Sequence, residues 1–418
     1  MRDFTQLLEG RKDCPCGREH NCPIDHVQIG AGALDCLPDL TKNYHSILLV
    51  ADTNTYEAQG WVVDRLLRSK ICSQLIYSGE TVLVPDETAI QSLEDSVTPD
   101  TDLIIGVGSG VINDLCKYVS YQKNLPYYIV ATAPSMDGYA SNGAALILGG
   151  MKISPNARPP KAIIADTSVL KDAPMEMIRA GYGDIMGKLS CLNDWKLSRI
   201  INHEYFCDYV YRLTFDAVME LLPLAQPLQE RDQEAVRVLM EALVTVGVAM
   251  SFVGNSRPAS GSEHHLSHFF EITGIVHDRP YLPHGIDVAF SAVLTAHLRE
   301  QILREQPCER PFNRTEWEKE IHRVYGPVAP GVIDLQDRLN SYCVYCRNTM
   351  DADWDTVCQC LSEAPTAAQM RNIIENVGLQ YDDFEDFYSA SVLNDAINWG
   401  KDLKDRYTVL WLYHCFFS

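Results

Sequence analysis

The sequence predicts an α/β domain with a parallel sheet followed by an all-α domain. Three observations carry this. Short apolar segments alternate with helical periodicity through the first 170 residues, the pattern of strands joined by helices that cover both faces of a sheet. A glycine-rich turn joins one of these strands to a helix. Beyond Pro174 the pattern is helical nearly to the C-terminus, with no convincing strand. At 418 residues the chain is long enough for each part to bury its own core. We divide it into an N-terminal arm (1–25), the α/β domain (26–170) and the helical domain (171–418).

Ser46 to Asp52 (SILLVAD) is a short apolar run ending in an acid, as a buried parallel strand does. Tyr56 to Ser69 has helical periodicity, Gln74 to Tyr77 (QLIY) reads as a strand, and the stretch after Pro85 is helical again. Asp102 to Gly106 (DLIIG) leads into Gly-Val-Gly-Ser-Gly and a helix running through Lys123. Tyr127 to Ala133 (YYIVATA) and Ala162 to Asp166 (AIIAD) are further strands. Between them, Ala144 to Ile153 reads as a hairpin turning at Gly149-Gly150.

Composition narrows the function. A net charge of −21 argues against nucleic acid, whose binding rests on neutralised phosphates. An anionic ligand would need a local cluster of donors working against that field. No apolar run of about 18 residues is evident, so no membrane span is expected. The start, MRDFTQLLEGRKD, lacks the apolar core of a signal peptide, and a cytoplasmic protein is expected. Fourteen cysteines then imply reduced thiols rather than a disulfide framework.

Two cysteine groups stand out. Cys14, Cys16, His20, Cys22 and His26 would suit a small zinc knuckle in composition, but the spacing matches no standard Cys-x2-Cys pairing. Ordinary thiols in an arm are the other reading. Cys343, Cys346, Cys358 and Cys360 lie in helical sequence and read as buried small apolar residues.

Four stretches could carry chemistry. In GVGSGVINDLCKY (Gly106 to Tyr118), backbone N–H groups between a strand and a helix can point at a phosphate, although a tight turn would look the same. It is neither a G-x-G-x-x-G fingerprint nor a P-loop. Asp52, at a strand end, could accept hydrogen bonds from a dinucleotide ribose or could cap a turn. Asp137 and Ser141 follow a strand in a loop of small residues, where ligands collect in open α/β sheets. Asp184 follows Gly-Tyr-Gly and reads as the opening of a helix that continues through Lys188 and Asp194.

The segment from Ser256 to Asp287 holds five of the twelve histidines. His264 and His268, four apart, share a helix face, and His284 follows in a Pro-His-Gly turn. Asp184, His264 and His284 together would give one carboxylate and two imidazoles, leaving an open position as a catalytic divalent ion requires.

GVGSGVINDLCKY, TAPSMDGYAS, GYGDIMGK, SRPASGSEHHLSH and PHGIDVA stand in an order and at distances that resemble the sn-glycerol-1-phosphate dehydrogenase family. That family belongs to the larger group of glycerol dehydrogenase, iron-dependent alcohol dehydrogenases and 3-dehydroquinate synthase. The resemblance covers about residues 25 to 300, and RYTVLWL near the end also fits. It implies a nucleotide-binding α/β domain, a helical domain and a metal in the cleft between them.

It also implies Asp184, His264 and His284 as metal ligands. Gly108, Ser109, Gly110 and Asp114 fall in the cofactor pyrophosphate loop, with Lys117 on its helix. Thr132 and Ser135 are assigned to the cofactor too, and Ser141 to the neighbourhood of the nicotinamide. Asp137 and His268 are the expected catalytic and substrate contacts, His268 as a proton carrier. His265 points roughly 100° away from His264 on a helix and is set aside.

The implied reaction is metal-dependent, NAD(P)H-linked reduction of dihydroxyacetone phosphate to sn-glycerol 1-phosphate, a step of phospholipid metabolism. For the phosphorylated small-molecule substrate we expect Arg257 as the phosphate donor, with Lys188 second. Asp52 favours NAD(H), with NADP(H) as the alternative. Zinc is the first choice of metal, followed by nickel or iron(II), and relatives suggest a homodimer. Val111 departs from the lysine that many relatives carry after the glycines. The competing readings are a sugar-phosphate cyclase like 3-dehydroquinate synthase, a dehydrogenase of another polyol or polyol phosphate, and a non-catalytic nucleotide-binding relative. GYGDIMGK has aspartate where such cyclases generally carry glutamate.

Overall fold

The computed structural model describes residues 2–149, 151–153, 155, 157–305, 308 and 311–416. The chain packs into two compact units. One comprises residues 1–182 and 219–256, the other residues 183–218 and 257–418. Residues 171–182 and 219–256, counted with the helical part from the sequence, therefore pack in the unit that carries the sheet.

That sheet has six parallel strands: β1 (His26–Gly30), β2 (Ile47–Asp52), β3 (Ile71–Tyr77), β4 (Leu103–Gly108), β5 (Tyr127–Ala131) and β8 (Ala162–Asp166). Their order is β1-β8-β5-β4-β2-β3, with Ile47 opposite Leu103 and Ile104 opposite Tyr127. The short strands β6 (Leu146–Leu148) and β7 (Met151–Ile153) form the expected antiparallel hairpin. Of its turn, Gly149 has φ +60°, and Gly150 lies outside the described residues.

Strands β4, β5 and β8 are buried on both faces, which is why they read as continuous apolar runs. Strand β1 escaped the sequence analysis because it is an edge strand with a single fully buried side chain, Ile29. Gly106 and Gly108 have a packing reason. A Cβ on Gly106 would lie 2.9 Å from Cys116 Sγ, and one on Gly108 would lie 2.6 Å from Ile112. Both glycines let helix α1 (Gly110–Gln122) lie close against β4.

Five more helices matter here: α2 (Met175–Met186), α3 (Lys188–Asn202), α4 (Gln233–Val253), α5 (Ser262–His277) and α6 (His284–Arg304). By length and composition α4 could cross a membrane, its most apolar 18-residue window having mean hydropathy 1.8. It is not an uninterrupted apolar run, since Arg237 and Glu241 fall within the helix. Eighty-nine per cent of that window is buried inside the fold, and its Arg237 pairs with Glu241, so a core helix accounts for it.

The cysteines also differ from expectation. Cys346 and Cys415 form a disulfide, their Cα atoms 5.3 Å apart, so the reduced-thiol reading fails for this pair. Cys360 is buried as expected, but Cys358 is half-buried and Cys343 exposed. Residues two apart on a helix face nearly opposite ways, so Cys358 and Cys360 cannot share one core.

Candidate metal centre and cofactor loop

Asp184, His264 and His284 lie in the second unit, and one ligand atom from each falls within 4.8 Å of the others. Asp184 Oδ1 is 3.5 Å from His264 Nε2, close to the roughly 3.4 Å separating two ligands that each sit about 2.1 Å from a tetrahedral ion. The His264 and His284 rings are 5.1 Å apart, and His268 is 5.3 Å from His284. The histidines singled out in the sequence thus lie together in the structure.

The ring tautomers suit a metal. His264 Nδ1 is 2.7 Å from Glu263 Oε1. A carboxylate accepts, so Nδ1 carries a proton, and Nε2, on the Asp184 side, is the nitrogen left to serve a metal. Ser267 Oγ lies 3.3 Å from the His284 carbonyl and 3.1 Å from His284 Nδ1. The hydroxyl can donate to the carbonyl while accepting from Nδ1–H, which leaves His284 Nε2 open as well. Sequence reasoning missed both Glu263 and Ser267, although Glu-His and Ser three residues later were visible as neighbours.

Local backbone packing sets this convergence. Asp184 lies in the last turn of α2 rather than at a helix N-cap, and the chain bends at Gly187 before α3 begins at Lys188. A Cβ on Gly183 would come 2.4 Å from the Gly285 carbonyl oxygen. These two glycines bring the aspartate's turn against the first turn of α6, where His284 is the opening residue rather than part of a free turn. Asp194 Oδ2 accepts from Ser262 N at 2.7 Å, and its Oδ1 accepts from Val409 N at 2.9 Å and from Arg299. Asp194 thereby fixes the start of α5 and ties in the C-terminal RYTVLWL stretch. A Cβ on Gly261 would lie 2.6 Å from Cys191 Cα, so this approach needs glycine.

Opposite charges are packed closely around Asp184. Burial opposes ionisation of Asp184, but Lys188, His264 and His284 outweigh it and hold the carboxyl well below the usual range. Lys188 Nζ lies 2.6 Å from Asp184 Oδ1, with both side chains fully buried. Burial and Lys188 depress His264, yet its bonds to Asp184 and Glu263 win and raise it. Burial, with Arg406, Lys404 and Arg257 nearby, keeps His265 well below its ordinary value. That neutral ring fits the bystander reading.

Arg257 requires a correction. Its guanidinium is buried and already engaged: Nη2 donates to Glu204 Oε2 at 2.6 Å and to the Tyr407 carbonyl at 2.7 Å, and Nε bonds Glu204 as well. Glu204 is 53 positions upstream, out of reach of local pattern reading. The fork expected to hold a phosphate is committed to the fold. Lys188 lies beside Asp184 instead.

In the first unit, Asp52, Gly108 and Thr132 stand at or just past the carboxyl ends of the neighbouring strands β2, β4 and β5. Strand order reverses between β2 and β4, and ligands of open α/β sheets bind at such a switch point. Asp52 caps a short turn, its Oδ1 accepting from Thr55 N at 2.9 Å. Ser109 and Gly110 open α1 at that edge, where first-turn N–H groups have no partner within the helix.

Asp114 and Lys117 turn inward. Lys117 Nζ donates to the carbonyls of Gly138 (2.7 Å) and Gly143 (2.9 Å) and to Ser141 Oγ (3.1 Å), and Asp114 Oδ1 is 3.4 Å away. Asp114 Oδ2 accepts from Ala145 N at 3.2 Å. Together these residues pin the loop that carries Asp137 and Ser141. Asp137 is buried and opens a short turn, while Ser135 is half-buried and interacts with Tyr139.

The fold and the one-carboxylate, two-imidazole set define a class. A sequence profile described as iron-containing alcohol dehydrogenase matches residues 28–174. Solved structures share the fold over almost their whole length. A 1,3-propanediol oxidoreductase aligns with TM-score 0.62 and 14% identity, covering 93% of this chain and 94% of that one. Glycerol dehydrogenase from Schizosaccharomyces pombe aligns with TM-score 0.53 and 18% identity, covering 92% and 93%.

Sequence relatives are more specific. The chain is 30% identical over 415 residues to a glycerol-1-phosphate dehydrogenase of Halalkalibacterium halodurans, covering 98% of this chain and 97% of the relative. It is 31% identical over 315 residues to that of Methanosarcina barkeri, covering 75% and 84%. The chain belongs to the glycerol-1-phosphate dehydrogenase family.

Proposed function

We propose that this protein reduces dihydroxyacetone phosphate to sn-glycerol 1-phosphate, and runs the reverse reaction, using NAD(P)H and one divalent metal. The observation that carries the reading is the meeting of Asp184, His264 and His284 at one point, in a chain related end to end to enzymes named as NAD(P)-linked glycerol-1-phosphate dehydrogenases. A divalent ion held by those residues supplies Lewis acidity toward the C2 oxygen, and the nicotinamide supplies hydride.

The chain's own residues do the rest. Glu263 and Ser267 hold the two imidazoles with Nε2 aimed at the ligand point. His268, half-buried on the same helix face, carries a proton on a ring nitrogen for the forming alcohol. Lys188 is the donor we assign to the substrate phosphate, now that Arg257 is committed elsewhere. Gly108, Ser109, Gly110, Thr132 and Ser135 are the proposed cofactor contacts, with Asp137 and Ser141 serving the substrate and the nicotinamide. Asp114 and Lys117 support that set by fixing the loop. Asp52 at the end of β2 supports a preference for NAD(H) over NADP(H). Zinc before nickel or iron(II), a homodimer and a cytoplasmic location complete the proposal.

The test follows NADH absorbance with dihydroxyacetone phosphate on metal-reconstituted protein, with chiral analysis of the product. Net NADH oxidation yielding sn-glycerol 1-phosphate is expected. Formation of glycerol 3-phosphate rejects the stereochemistry. Phosphate release without net oxidation would place the protein with the sugar-phosphate cyclases instead.

A further inference from the structure

The N-terminal arm contains a second arrangement of metal-binding donors, unrelated to the site of Asp184. Arg11 and His20 form an antiparallel bridge, each N–H donating to the other's carbonyl at 2.9 Å. Gly10 begins this bridge at φ +72°, where a Cβ would come within 2.1 Å of the His20 carbonyl oxygen. Inside the closed segment, Cys14-Pro-Cys-Gly17 makes a tight turn. Gly17 N donates to the Cys14 carbonyl at 3.0 Å, and Gly17 has φ +82°. The turn folds both cysteines back toward the histidine, so that the ligand atoms of Cys14, Cys16 and His20 all lie within 4.8 Å of one another.

The histidine ring is set for coordination. His20 is fully buried, and its Nδ1 lies 3.0 Å from the carbonyl oxygen of Phe252. A carbonyl can only accept, so Nδ1 bears the proton and Nε2 bears the lone pair. The backbone carbonyl thus fixes the tautomer, as partners of metal-ligating histidines do. Nε2 is 3.4 Å from Cys16 Sγ. A sulfur at about 2.3 Å and a nitrogen at about 2.0 Å on one tetrahedral zinc are separated by roughly 3.5 Å.

We propose that Cys14, Cys16 and His20 bind a zinc-class ion that closes the arm into a structural knuckle. The Cys-x-Cys spacing differs from the usual knuckle because the tight turn at Pro15-Cys16, rather than a longer loop, brings the two sulfurs together. Cys22 and His26, grouped with these residues from the sequence, lie outside the cluster. His26 is in β1, and burial pushes the Cys22 thiol up to about 11. Two thiolates and an imidazole select zinc or a similarly soft ion. The fourth position belongs to a donor from outside these residues or to water.

The test loads the full-length chain with cobalt(II). Asp184, His264 and His284 contain no sulfur, so a thiolate-to-cobalt charge-transfer band in the near ultraviolet reports the arm alone. The wild type is expected to show this band, and a thiol reagent is expected to count two fewer reactive cysteines once the ion is bound. Cys14→Ser with Cys16→Ser should abolish the band. His20→Cys, which supplies another thiolate, should keep the ion and strengthen the band, providing a readout even if the double serine variant folds poorly. A wild type without the band, or a band of unchanged intensity in the folded double variant, overturns the proposal. Either result would leave Cys16 and His20 as a thiol hydrogen-bonded to an imidazole.

Discussion

Two buried lysines make the most instructive comparison in this protein. Lys117 follows Asp114 by three residues and Lys188 follows Asp184 by four; both side chains are fully buried beside their aspartates. Around Lys117 the ammonium is surrounded by Gly138 O, Gly143 O, Ser141 Oγ and Asp114. Those acceptors fan out along one loop, and the cation's work is to hold that loop. Around Lys188, the carboxylate it touches is also 3.5 Å from His264 Nε2 and close to His284. There one ligand atom from each of Asp184, His264 and His284 comes within 4.8 Å of the others. We take the dispersed partners as the mark of a structural charge and the converging ones as the mark of the proposed site.

The comparison can be broken by substitution. The largest effect is expected at the converging cluster: Asp184→Asn should release the metal and lower kcat by about 10²- to 10³-fold, the scale seen when a transition-state electrostatic partner is lost. Metal content and turnover measured on the same sample check this, and an active, metal-replete variant would show the ligand set to be misassigned. Lys117→Met should instead cost stability, about 3–5 kcal/mol by denaturant unfolding, because it strands Asp114 and two loop carbonyls. Its folded fraction should keep its metal. Metal loss in step with the stability loss would erase the distinction.

Smaller changes sharpen the same contrast. Glu263→Gln removes the charge behind His264 without touching the ligand point, and metal affinity should fall about 10- to 100-fold while the folded state persists. Titration against a competing chelator measures that shift. Asp52→Ala should cost about 1 kcal/mol through the lost cap. It should also narrow the preference for NADH over NADPH in kcat/KM, and a wider preference would remove Asp52 from cofactor selection.

The parallel sheet was legible because its central strands are buried on both faces and their apolar runs are continuous. The proposed metal set could be picked out because His264 and Asp184 sit in motifs whose glycines also have a packing purpose. What escaped were partnerships across long sequence distances. Arg257 looked available because Glu204 lies 53 residues earlier, and Cys346 looked reduced because Cys415 is 69 residues away. Asp184 was misread as an N-cap since its flanking glycines resemble a helix start, whereas they serve close backbone contact at the end of α2. Strand β1 stayed hidden because an edge strand need not alternate cleanly.

The central claim is that Asp184, His264 and His284 hold the catalytic ion. An anomalous-scattering map of crystals of the metal-reconstituted enzyme tests it directly. The account predicts a peak about 2.0–2.2 Å from an Asp184 carboxylate oxygen, His264 Nε2 and His284 Nε2. Crystals of active enzyme with no peak at those three atoms would contradict it.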